Sequence, residues 1–324
     1  MNRVISLTII FFFSLSINSK AQSMQWTDVS ESYGNLPASV KLFKTTTPID
    51  GKPNVAFYLI ADMKDKQLEF IADTTMNRRL TPQQFYEKNN QPLVVVNTTF
   101  FSFATNQNLN AVIKNGRLVS YNVHSLPGRG KDTLTYRHTL GSAIGITKNR
   151  TADVAWLFTD SSKKRAYALQ QPVKPTRDSV AHVVMKKKKI KKFNLDVPLK
   201  KWKVETAVGG GPVLVQHNQI AISNNEEVKF AGKAIDDKHP RTAMGYTHDH
   251  KLVILVVEGR SPGIAEGASL IHLAAMLKEI GCVEALNLDG GGSSAMIVNG
   301  KNTINPSDKT RQRPVPAVFM ISQQ

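Results

Sequence analysis

The sequence of residues 251–294 is KLVILVVEGRSPGIAEGASLIHLAAMLKEIGCVEALNLDGGGSS, and this stretch decides the predicted fold. Residues 252–257 form a continuous apolar, β-branched run, which is typical of a strand buried on both faces. Ser269 can cap a helix with one apolar stripe, and Gly281 ends it. Residues 283–288 form a second buried strand. The order is therefore strand, helix, strand.

Such a unit almost always forms a right-handed crossover between parallel strands of one sheet. The segments Glu258-Gly259-Arg260 and Asp289-Gly290-Gly291-Gly292 then follow the carboxyl ends of two parallel strands. Ligands bind at that edge of open sheets. We therefore expect an α+β fold, in which a mixed β-sheet core has flanking helices. The strand–helix–strand unit carries the active-site loops.

The rest of the chain favours short strands in a single domain. Asn115-Gly116, His217-Asn218 and Asn299-Gly300 each stand between apolar strand residues and predict tight hairpins. Residues 149–203 alternate less regularly and carry a lysine run. We interpret them as a variable basic insert, either strands with exposed connections or a small subdomain, within a domain spanning 22–324.

The first residues predict export. Arg3 precedes an apolar run over residues 4–17, and Ser19-Lys20-Ala21 supplies the small residues that signal peptidase recognises. We place the signal peptide at 1–21. A membrane anchor is the alternative, but the run is shorter than the about 20 residues that a spanning helix needs. The expected mature chain has no transmembrane segment and is periplasmic or secreted.

The chain is strongly basic, with a formal net charge of +17. Loss of Arg3 and Lys20 with the signal peptide leaves +15. Residues 186–192 contain six lysines, which favours anionic glycans or other polyanions, although such runs are commonly just solvated loops. No aromatic residues alternate with these lysines, so a nucleic-acid partner is not expected. The single cysteine, Cys282, is predicted to be a small core residue.

The glycine-rich loop that begins at Asp289 is the strongest functional signal. Three consecutive glycines cost backbone entropy and suit a chain that a ligand must approach closely. Successive N–H groups can receive an anion, and Ser293 and Ser294 add hydroxyl groups. Asp289 could be a base, a nucleophile or a metal ligand. The alternative is a tight turn with an aspartate cap, which would need only one glycine.

Further polar segments are candidates for the same site. Guanidinium groups bind phosphate through paired hydrogen bonds, and arginines occur beside several of the turns, although each one alone could be a surface ion-pair partner. The segment 97–101 joins an asparagine to two phenylalanines after an apolar strand, as expected of either a sugar-binding floor or a strand end with core rings. The histidines show no zinc-ligand spacing.

Taken in order, these motifs resemble the phosphodiester glycosidase family. The segment Asn287-Leu288-Asp289-Gly290-Gly291-Gly292-Ser293-Ser294 is similar to the family's signature. The other matching motifs are Asn97 to Phe101, Asn115-Gly116, Gly210-Gly211-Pro212, Arg241 to Gly245, Gly259-Arg260, Asn305-Pro306-Ser307 and Arg311-Gln312-Arg313. The chain departs from the family at Thr98 and Thr99, where two glycines are usual, at Glu258, usually aspartate, and at Gln312, often glutamate.

The resemblance implies hydrolysis of a sugar 1-phosphodiester at the sugar C1–oxygen bond, with an oxocarbenium-like transition state that a carboxylate stabilises. No cofactor is required on this interpretation, although Asp289 could hold a divalent cation. The expected catalytic residues are Asp289, Glu258, Arg260 and Arg241. The expected substrate-binding residues are Asn97, Phe100, Gly210, Gly211, Gly290, Gly291, Gly292, Ser293, Ser294, Asn305 and Arg313.

Two alternatives remain open at this point. A metal-assisted phosphodiesterase would break the phosphorus–oxygen bond instead, with Asp289 holding the ion. A non-catalytic protein would bind an anionic glycan through the lysine run and the arginines.

Overall fold

The computed structural model describes residues 23–128, 130–193, 195 and 198–324 of the chain. The predicted signal peptide, 1–21, lies outside the described residues. No helix in the described part has both the length and the apolar character that crossing a membrane requires.

Strands make up most of the regular structure. In chain order they are β1 Thr27–Asp28, β2 Val40–Thr45, β3 Ala56–Asp62, β4 Leu68–Thr74, β5 Val94–Asn97, β6 Val112–Lys114, β7 Arg117–Ser120, β8 Ser125–Pro127, β9 Tyr136–His138, β10 Gly141–Ile146, β11 Ala152–Phe158, β12 Tyr167–Leu169, β13 Thr176–Asp178, β14 Met185–Lys186, β15 Lys189–Ile190, β16 Lys200–Lys201, β17 Thr206–Gly209, β18 Val213–Gln216, β19 Gln219–Ile220, β20 Arg241–Thr247, β21 Lys251–Val257, β22 Cys282–Asn287, β23 Met296–Val298, β24 Lys301–Asn302 and β25 Ala317–Gln323. The helices are α1 Pro82–Lys88, α2 Asn224–Glu227 and α3 Leu270–Ile280, with 3-10 turns at Ser30–Tyr33 and Gly291–Ser293.

Three large sheets organise these strands. Sheet I has the order β1-β2-β3-β21-β20-β22-β18-β19, sheet II the order β16-β12-β11-β10-β17-β6-β7, and sheet III the order β24-β23-β5-β25-β4. Two smaller sheets, β13-β9-β8 and β14-β15, complete the described part. The predicted hairpins form β6–β7, β18–β19 and β23–β24. Both turn residues of each hairpin have a positive φ, as at Asn115 and Gly116.

The prediction of an α+β fold with flanking helices is wrong. Strands and bridges account for 40% of the described residues and helices for 10%, so the fold is mostly β. The predicted parallel pair, β21 and β22, are not neighbours, because β20 lies between them and is antiparallel to both. Two antiparallel steps restore the direction of the chain, so β21 and β22 still run the same way. Their carboxyl ends therefore share one edge of sheet I.

A core shared by the three sheets holds the fold together. Strand β21 alternates its side chains between two apolar environments. Leu252, Ile254 and Val256 join the core between the sheets, whereas Val253, Leu255 and Val257 pack in the cluster that contains the apolar face of α3. Burial on both faces explains why β21 is a continuous apolar run. Ser269 caps α3 and Gly281 ends it with a left-handed φ of 98°, as the sequence predicts.

Residues 149–203 supply β11, β12 and β16 to sheet II and also form the hairpin β14–β15. Lys187 and Lys188 occupy the hairpin turn with positive φ, and residues 186–189 are exposed. Lys192 instead points inward, since its Nζ lies 2.9 Å from Asp178 Oδ1 and 3.0 Å from His138 Nε2. The lysine run is thus an anchored hairpin whose tip is cationic.

Replacing Ile254 by alanine tests the double-sided core. Ile254 is fully buried in β21, so we expect the free energy of unfolding to fall by about 2–5 kcal/mol. Ile220 is 48% exposed on the edge strand β19, and the matched Ile220→Ala change should cost less than about 1 kcal/mol. Urea unfolding monitored by circular dichroism measures both. Equal losses would contradict this packing.

Candidate active site

Four strand ends converge at the site. Strands β21 and β22 end there in sheet I, β17 ends there in sheet II, and β5 ends there in sheet III. Main-chain hydrogen bonds join these edges: Asp289 N–H donates to Thr98 O at 2.7 Å, and Gly211 N–H donates to Asn287 O at 2.7 Å. The site is therefore assembled where all three large sheets meet.

The loop after Asp289 is tight because main-chain atoms and arginines approach it from several sides. A Cβ on Gly290 would lie 2.9 Å from Pro240 O, and one on Gly291 would lie 2.8 Å from a guanidinium nitrogen of Arg260. A Cβ on Gly292 would overlap the Arg313 guanidinium. Gly291 also has a φ of 60°, which favours glycine. The three glycines thus admit two arginines to the loop.

The loop's own N–H groups are largely used within the main chain. Gly291 N–H donates to Pro240 O, and the N–H groups of Ser293 and Ser294 donate back to Gly290 O and Gly291 O. The predicted concave row of N–H groups is therefore mostly occupied by a 3-10 turn. The guanidinium groups are left as the principal cationic partners for an anion.

Asp289 is a half-buried carboxyl group whose ionisation is disfavoured. Burial raises the pKa of Asp289 to about 7, while a hydrogen bond from Ser293, the charge of Arg313 and the Gly290 N–H act to lower this pKa. Removal from water outweighs these stabilising partners. A carboxyl group with a pKa near neutrality can exchange a proton during catalysis.

Arg313 and Arg260 flank this carboxyl-bearing loop. Arg313 Nε donates to Asp308 Oδ2 at 2.7 Å, and its Nη1 lies 3.4 Å from Ser293 Oγ. Arg260 is exposed and has a left-handed φ of 63°, which is a strained conformation for a non-glycine residue. Its guanidinium lies over Gly291, so the structure brings together Asp289 and Arg260 as the sequence predicts.

Arg241 is placed differently from these two arginines. It is buried, and its Nε and Nη2 donate to the main-chain carbonyls of Ala268 and Asp237 at 2.9 and 2.7 Å. Burial and the nearby charge of Arg260 lower the pKa of Arg241 to about 10, although Asp237 acts to raise it. These contacts make Arg241 a clamp between loops at the rim of the site.

Glu258 is also engaged within the protein. It is buried, and its two carboxylate oxygens accept hydrogen bonds from the N–H and the side-chain amide of Asn305, at 2.9 and 3.3 Å. Asn305 lies on the segment that leads to Asp308 and Arg313. Glu258 therefore fixes the start of the segment that carries Arg313.

Asn97 ties three segments of the site together. Its side-chain amide donates to Asp289 O at 2.6 Å, and its Oδ1 accepts from Thr242 Oγ1 and from Ala295 N–H, at 2.9 and 3.0 Å. Because Asn97 is fully buried, these bonds also satisfy a polar group in the core. We therefore regard Asn97 as a support of the Asp289 loop.

Lys229 and Glu227 also lie at the site, although neither was predicted there from the sequence. Glu227 is buried and accepts hydrogen bonds from Ser142, Ser223, Trp156 and Val213. A Cβ on Gly211 would overlap the Glu227 carboxylate and would lie 2.7 Å from Lys229 Cε. Glycine is thus required at Gly211, whose φ is 112°. Neither charged residue belongs to a recognisable motif.

Phe100 lies beside this lysine. Lys229 Nζ is 5.3 Å from the centroid of the Phe100 ring, and the Phe230 ring packs edge-on against Phe100 at 6.1 Å. Gly210 is held by its N–H to Ser142 O and by its carbonyl to Asn110. Phe100 and Gly210 therefore line the side of the site that faces sheet II.

His239 is a third residue that was not predicted at the site from the sequence. Burial, followed by the charges of Arg241 and Arg260, lowers its pKa, so the imidazole is neutral at neutral pH. Its position directly before Pro240 and Arg241 was the available signal. His239 stands alone in this segment of the sequence, so it does not form a zinc-ligand pattern with a second histidine.

Polar atoms near Asp289 are left without partners in the described part of the chain. They are Thr98 Oγ1, Asn287 Oδ1 and Ser294 Oγ, and all three are buried. A cluster of three or more metal-ligating His, Cys, Asp or Glu side chains does not occur among the described residues. Asp289 is the carboxyl group that a divalent cation would contact.

Comparison with known proteins shows the family. The model of the phosphodiester glycosidase family matches residues 90–322. The chain belongs to this family. The resemblance inferred from the motifs is thereby confirmed.

Curated relatives match shorter parts of the chain. N-acetylglucosamine-1-phosphodiester alpha-N-acetylglucosaminidase from Bos taurus is 30% identical over 102 residues, which are 31% of this chain and 19% of the bovine protein. The Mus musculus protein is 28% identical over 102 residues, with the same coverage of 31% and 19%. The SPbeta prophage-derived uncharacterized protein YomE of Bacillus subtilis (strain 168) is 44% identical over 71 residues, 22% of this chain and 11% of YomE. The matches thus span less than a fifth of each relative.

Solved structures share the fold over most of the chain. A hypothetical protein from Synechocystis has a TM-score of 0.63 at 14% identity, covering 94% of this chain and 64% of that chain. The catalytic domain of the zebrafish N-acetylglucosamine-1-phosphodiester alpha-N-acetylglucosaminidase has a TM-score of 0.59 at 19% identity, with coverage of 94% and 89%. The phosphodiester glycosidase fold therefore extends through all three sheets.

Replacing Asp289 by asparagine should stabilise the protein at high pH. The folded pKa of about 7 exceeds the ordinary value of 3.8, so the folded state holds more protons between these values. Stability is consequently lost as the pH rises from 4 to 7. We expect Asp289→Asn to raise the free energy of unfolding by about 1–3 kcal/mol at pH 8. The gain should be smaller at pH 5.

Urea unfolding at the two pH values measures this difference. Asp308 is a suitable comparison, because hydrogen bonds and the Arg313 charge hold the pKa of Asp308 below its usual value despite burial. Asp308→Asn should therefore destabilise the protein at pH 8. A gain for Asp289→Asn that does not change between pH 5 and pH 8 would contradict the raised pKa.

Proposed function

We propose that this phosphodiester glycosidase hydrolyses a sugar 1-phosphodiester at the sugar C1–oxygen bond. One observation carries the proposal. Asp289, with a pKa of about 7, lies on a glycine loop that two guanidinium groups approach. A sugar 1-phosphodiester presents both an anion for the arginines and a C1 atom that water can attack beside the carboxylate. The mammalian relatives, by their names, act on an N-acetylglucosamine 1-phosphodiester.

In the proposed step, water attacks C1 as the C1–oxygen bond breaks. The bonding electron pair leaves on the phosphate oxygen, so the products are a free sugar and a phosphomonoester. Asp289, in its ionised form, takes the proton from the water and faces the positive charge that develops at the sugar ring. A pKa near neutrality suits a group that must accept a proton and then release it.

The cationic groups serve the leaving phosphate. Arg260 and Arg313 can each offer paired N–H groups to phosphate oxygens. Since a phosphomonoester is already a weak base, stabilisation of its charge takes the place of a strong acid. We assign Arg241, Glu258 and Asn97 as positioning residues, because their polar groups are engaged with the main chain and with Asn305.

Asp289→Asn tests catalysis. We expect kcat/KM for a sugar 1-phosphodiester to fall by about 10²–10⁴-fold, since the base is lost. The wild-type rate should also fall with decreasing pH below about 7, as Asp289 becomes protonated. Asp153→Asn is the matched control, because burial also raises the pKa of Asp153, which lies on β11 in sheet II. If the protein only binds glycan, neither the wild type nor the variants will hydrolyse the substrate.

Hydrolysis in oxygen-18 water tests which bond breaks, as part of the same experiment. Label in the released sugar supports cleavage at C1, whereas label in the phosphate would show a phosphodiesterase. We propose that no cofactor is needed, so turnover should persist with a chelator. Chelator sensitivity together with label in the phosphate would favour the metal-assisted alternative.

We also propose that the chain is exported and acts in the periplasm or outside the cell. The support is the sequence of residues 1–21, in which Arg3, an apolar run and Ser19-Lys20-Ala21 follow the order of a signal peptide. Intact-mass measurement of the exported fraction should give a chain that begins at Gln22. Ala21→Arg should block this cleavage. Recovery of the full-length wild-type chain from membranes would instead indicate an anchor.

A further inference from the structure

A large groove lies beside the candidate active site. Its volume is about 1040 Å³. The small sheet β8–β9–β13 and the preceding residue Lys174 supply one wall, and residues between 224 and 232 supply the other. No step of the proposed reaction uses this groove.

Lys229 and Phe230 connect the groove to the site. Both residues line the groove. Lys229 also contacts the Phe100 ring and the space above Gly211, and the Phe230 ring lies 6.1 Å from Phe100 and 5.8 Å from the Arg241 guanidinium. These contacts place the inner end of the groove beside Phe100 and Arg241.

The lining of the groove is predominantly cationic. Its basic side chains are Arg137, Lys174, Arg177 and Lys229, and its acidic side chains are Asp132 and Glu226. One acid is already neutralised, since Arg177 Nη2 lies 2.6 Å from Asp132 Oδ2. Arg137 and Lys174 are exposed and form no ion pair with the described acidic residues. A concave basic surface attracts and retains anions.

Lys229 favours an anion on the inner side of the groove. Burial lowers the pKa of Lys229, and the nearby charge of Glu227 opposes this shift only in part. The Glu227 carboxylate already accepts five hydrogen bonds from neighbouring side chains and N–H groups, which leave it little capacity for Lys229. An anionic ligand would supply a further counter-charge for the half-buried Lys229 ammonium.

Partly buried polar contacts hold the outer wall of the groove. Strand β13 pairs with β9, so Arg177 stands opposite Arg137. At the end of β13, Asp178 binds Lys192 and His138, and Lys192 also donates to Val180 O. These bonds attach the hairpin β14–β15, with exposed lysines at residues 186–189, to the groove wall. The hairpin β14–β15 thus extends the basic surface of the groove.

We propose that this groove is a subsite for a second anionic group of an extended polyanionic glycan. The inference rests on the proposed function, because it assumes that the scissile sugar 1-phosphodiester occupies the Asp289 site. The substrate class is then a glycan chain with repeated phosphate or other acidic groups. Its next acidic group binds between Lys229 and the arginines of β9 and β13.

Charge reversal at the outer wall tests the subsite. The variant Arg137→Glu/Lys174→Glu changes two exposed residues that lie outside the reacting groups. The matched control is Lys64→Glu/Lys66→Glu, which makes the same change in net charge on the turn after β3. Strand β3 is antiparallel to β21, so this turn lies at the opposite edge of sheet I from the site.

Two substrates distinguish binding in the groove from the reaction at Asp289. One is a sugar 1-phosphodiester with a neutral alcohol beyond the phosphate, and the other is an oligomer that carries further phosphates. We expect wild type and control to favour the oligomer in kcat/KM by about tenfold or more. The groove variant should lose this preference and keep its rate on the short substrate within about twofold. Added salt should reduce the wild-type preference.

Equal wild-type rates on both substrates, or equal losses in the control variant, would overturn the subsite. If neither substrate is hydrolysed, the proposed function fails, and calorimetric titration with the phosphate oligomer decides the groove separately. The groove is supported when the wild type binds the oligomer about tenfold more tightly than the groove variant does. Equal affinities would refute it. Tighter binding of single-stranded DNA than of the oligomer would also refute the glycan assignment.

Discussion

The buried amide of Asn97 is the interaction on which the site depends. It joins the end of β5 to the carbonyl of Asp289, to Thr242 on β20 and to the N–H of Ala295. These partners come from two sheets and from both ends of the glycine loop. Without this tether, the ends of sheets I and III would present their polar groups separately. The position of the Asp289 loop is thus fixed by a hydrogen-bonded group in the core.

Burial of this loop also disfavours the ionised form of Asp289. Asp289 leaves water on a loop where N–H groups are engaged with carbonyls, so its charged form is costly despite the nearby cations. Arg260 and Arg313 reach the loop only because Gly291 and Gly292 have no side chains. The glycines of the loop therefore determine how closely the arginines can approach the segment that carries the Asp289 carboxyl group.

Several features could be predicted from the sequence because they depend on local patterns. The alternation in β21, the cap and end of α3 and the positive-φ hairpin turns follow from residue type and spacing. The sequence also predicted that β21 and β22 end at one edge of the sheet, but it predicted them as neighbouring parallel strands. The intervening strand β20 precedes both in the chain, and its pairing is set by the non-local core. The sequence around 241–247 alone does not reveal that position, so the predicted fold class was wrong.

Some site residues could likewise be predicted from local motifs, whereas others depend on non-local packing. The motif residues Asp289, Arg260 and Arg313 are brought together as expected. Lys229 and Glu227 were not anticipated, because their proximity to Gly211 comes from the packing of sheet II against sheet I. The row of N–H groups predicted for the glycine loop was only partly realised, since Pro240 and the 3-10 turn take up most of these donors. Whether an N–H group is free depends on neighbours that are distant in sequence.

We propose that Asp289 is a proton-exchanging carboxyl group within a site that receives an anion. A carbon-13 NMR titration of aspartate-labelled protein tests it directly, with Asp289→Asn assigning the resonance. The account predicts a pKa near 7 for this carboxyl group and a further rise when inorganic phosphate is added, because a bound anion disfavours a second negative charge beside it. A pKa close to the ordinary aspartate value of 3.8, unchanged by phosphate, would contradict the account.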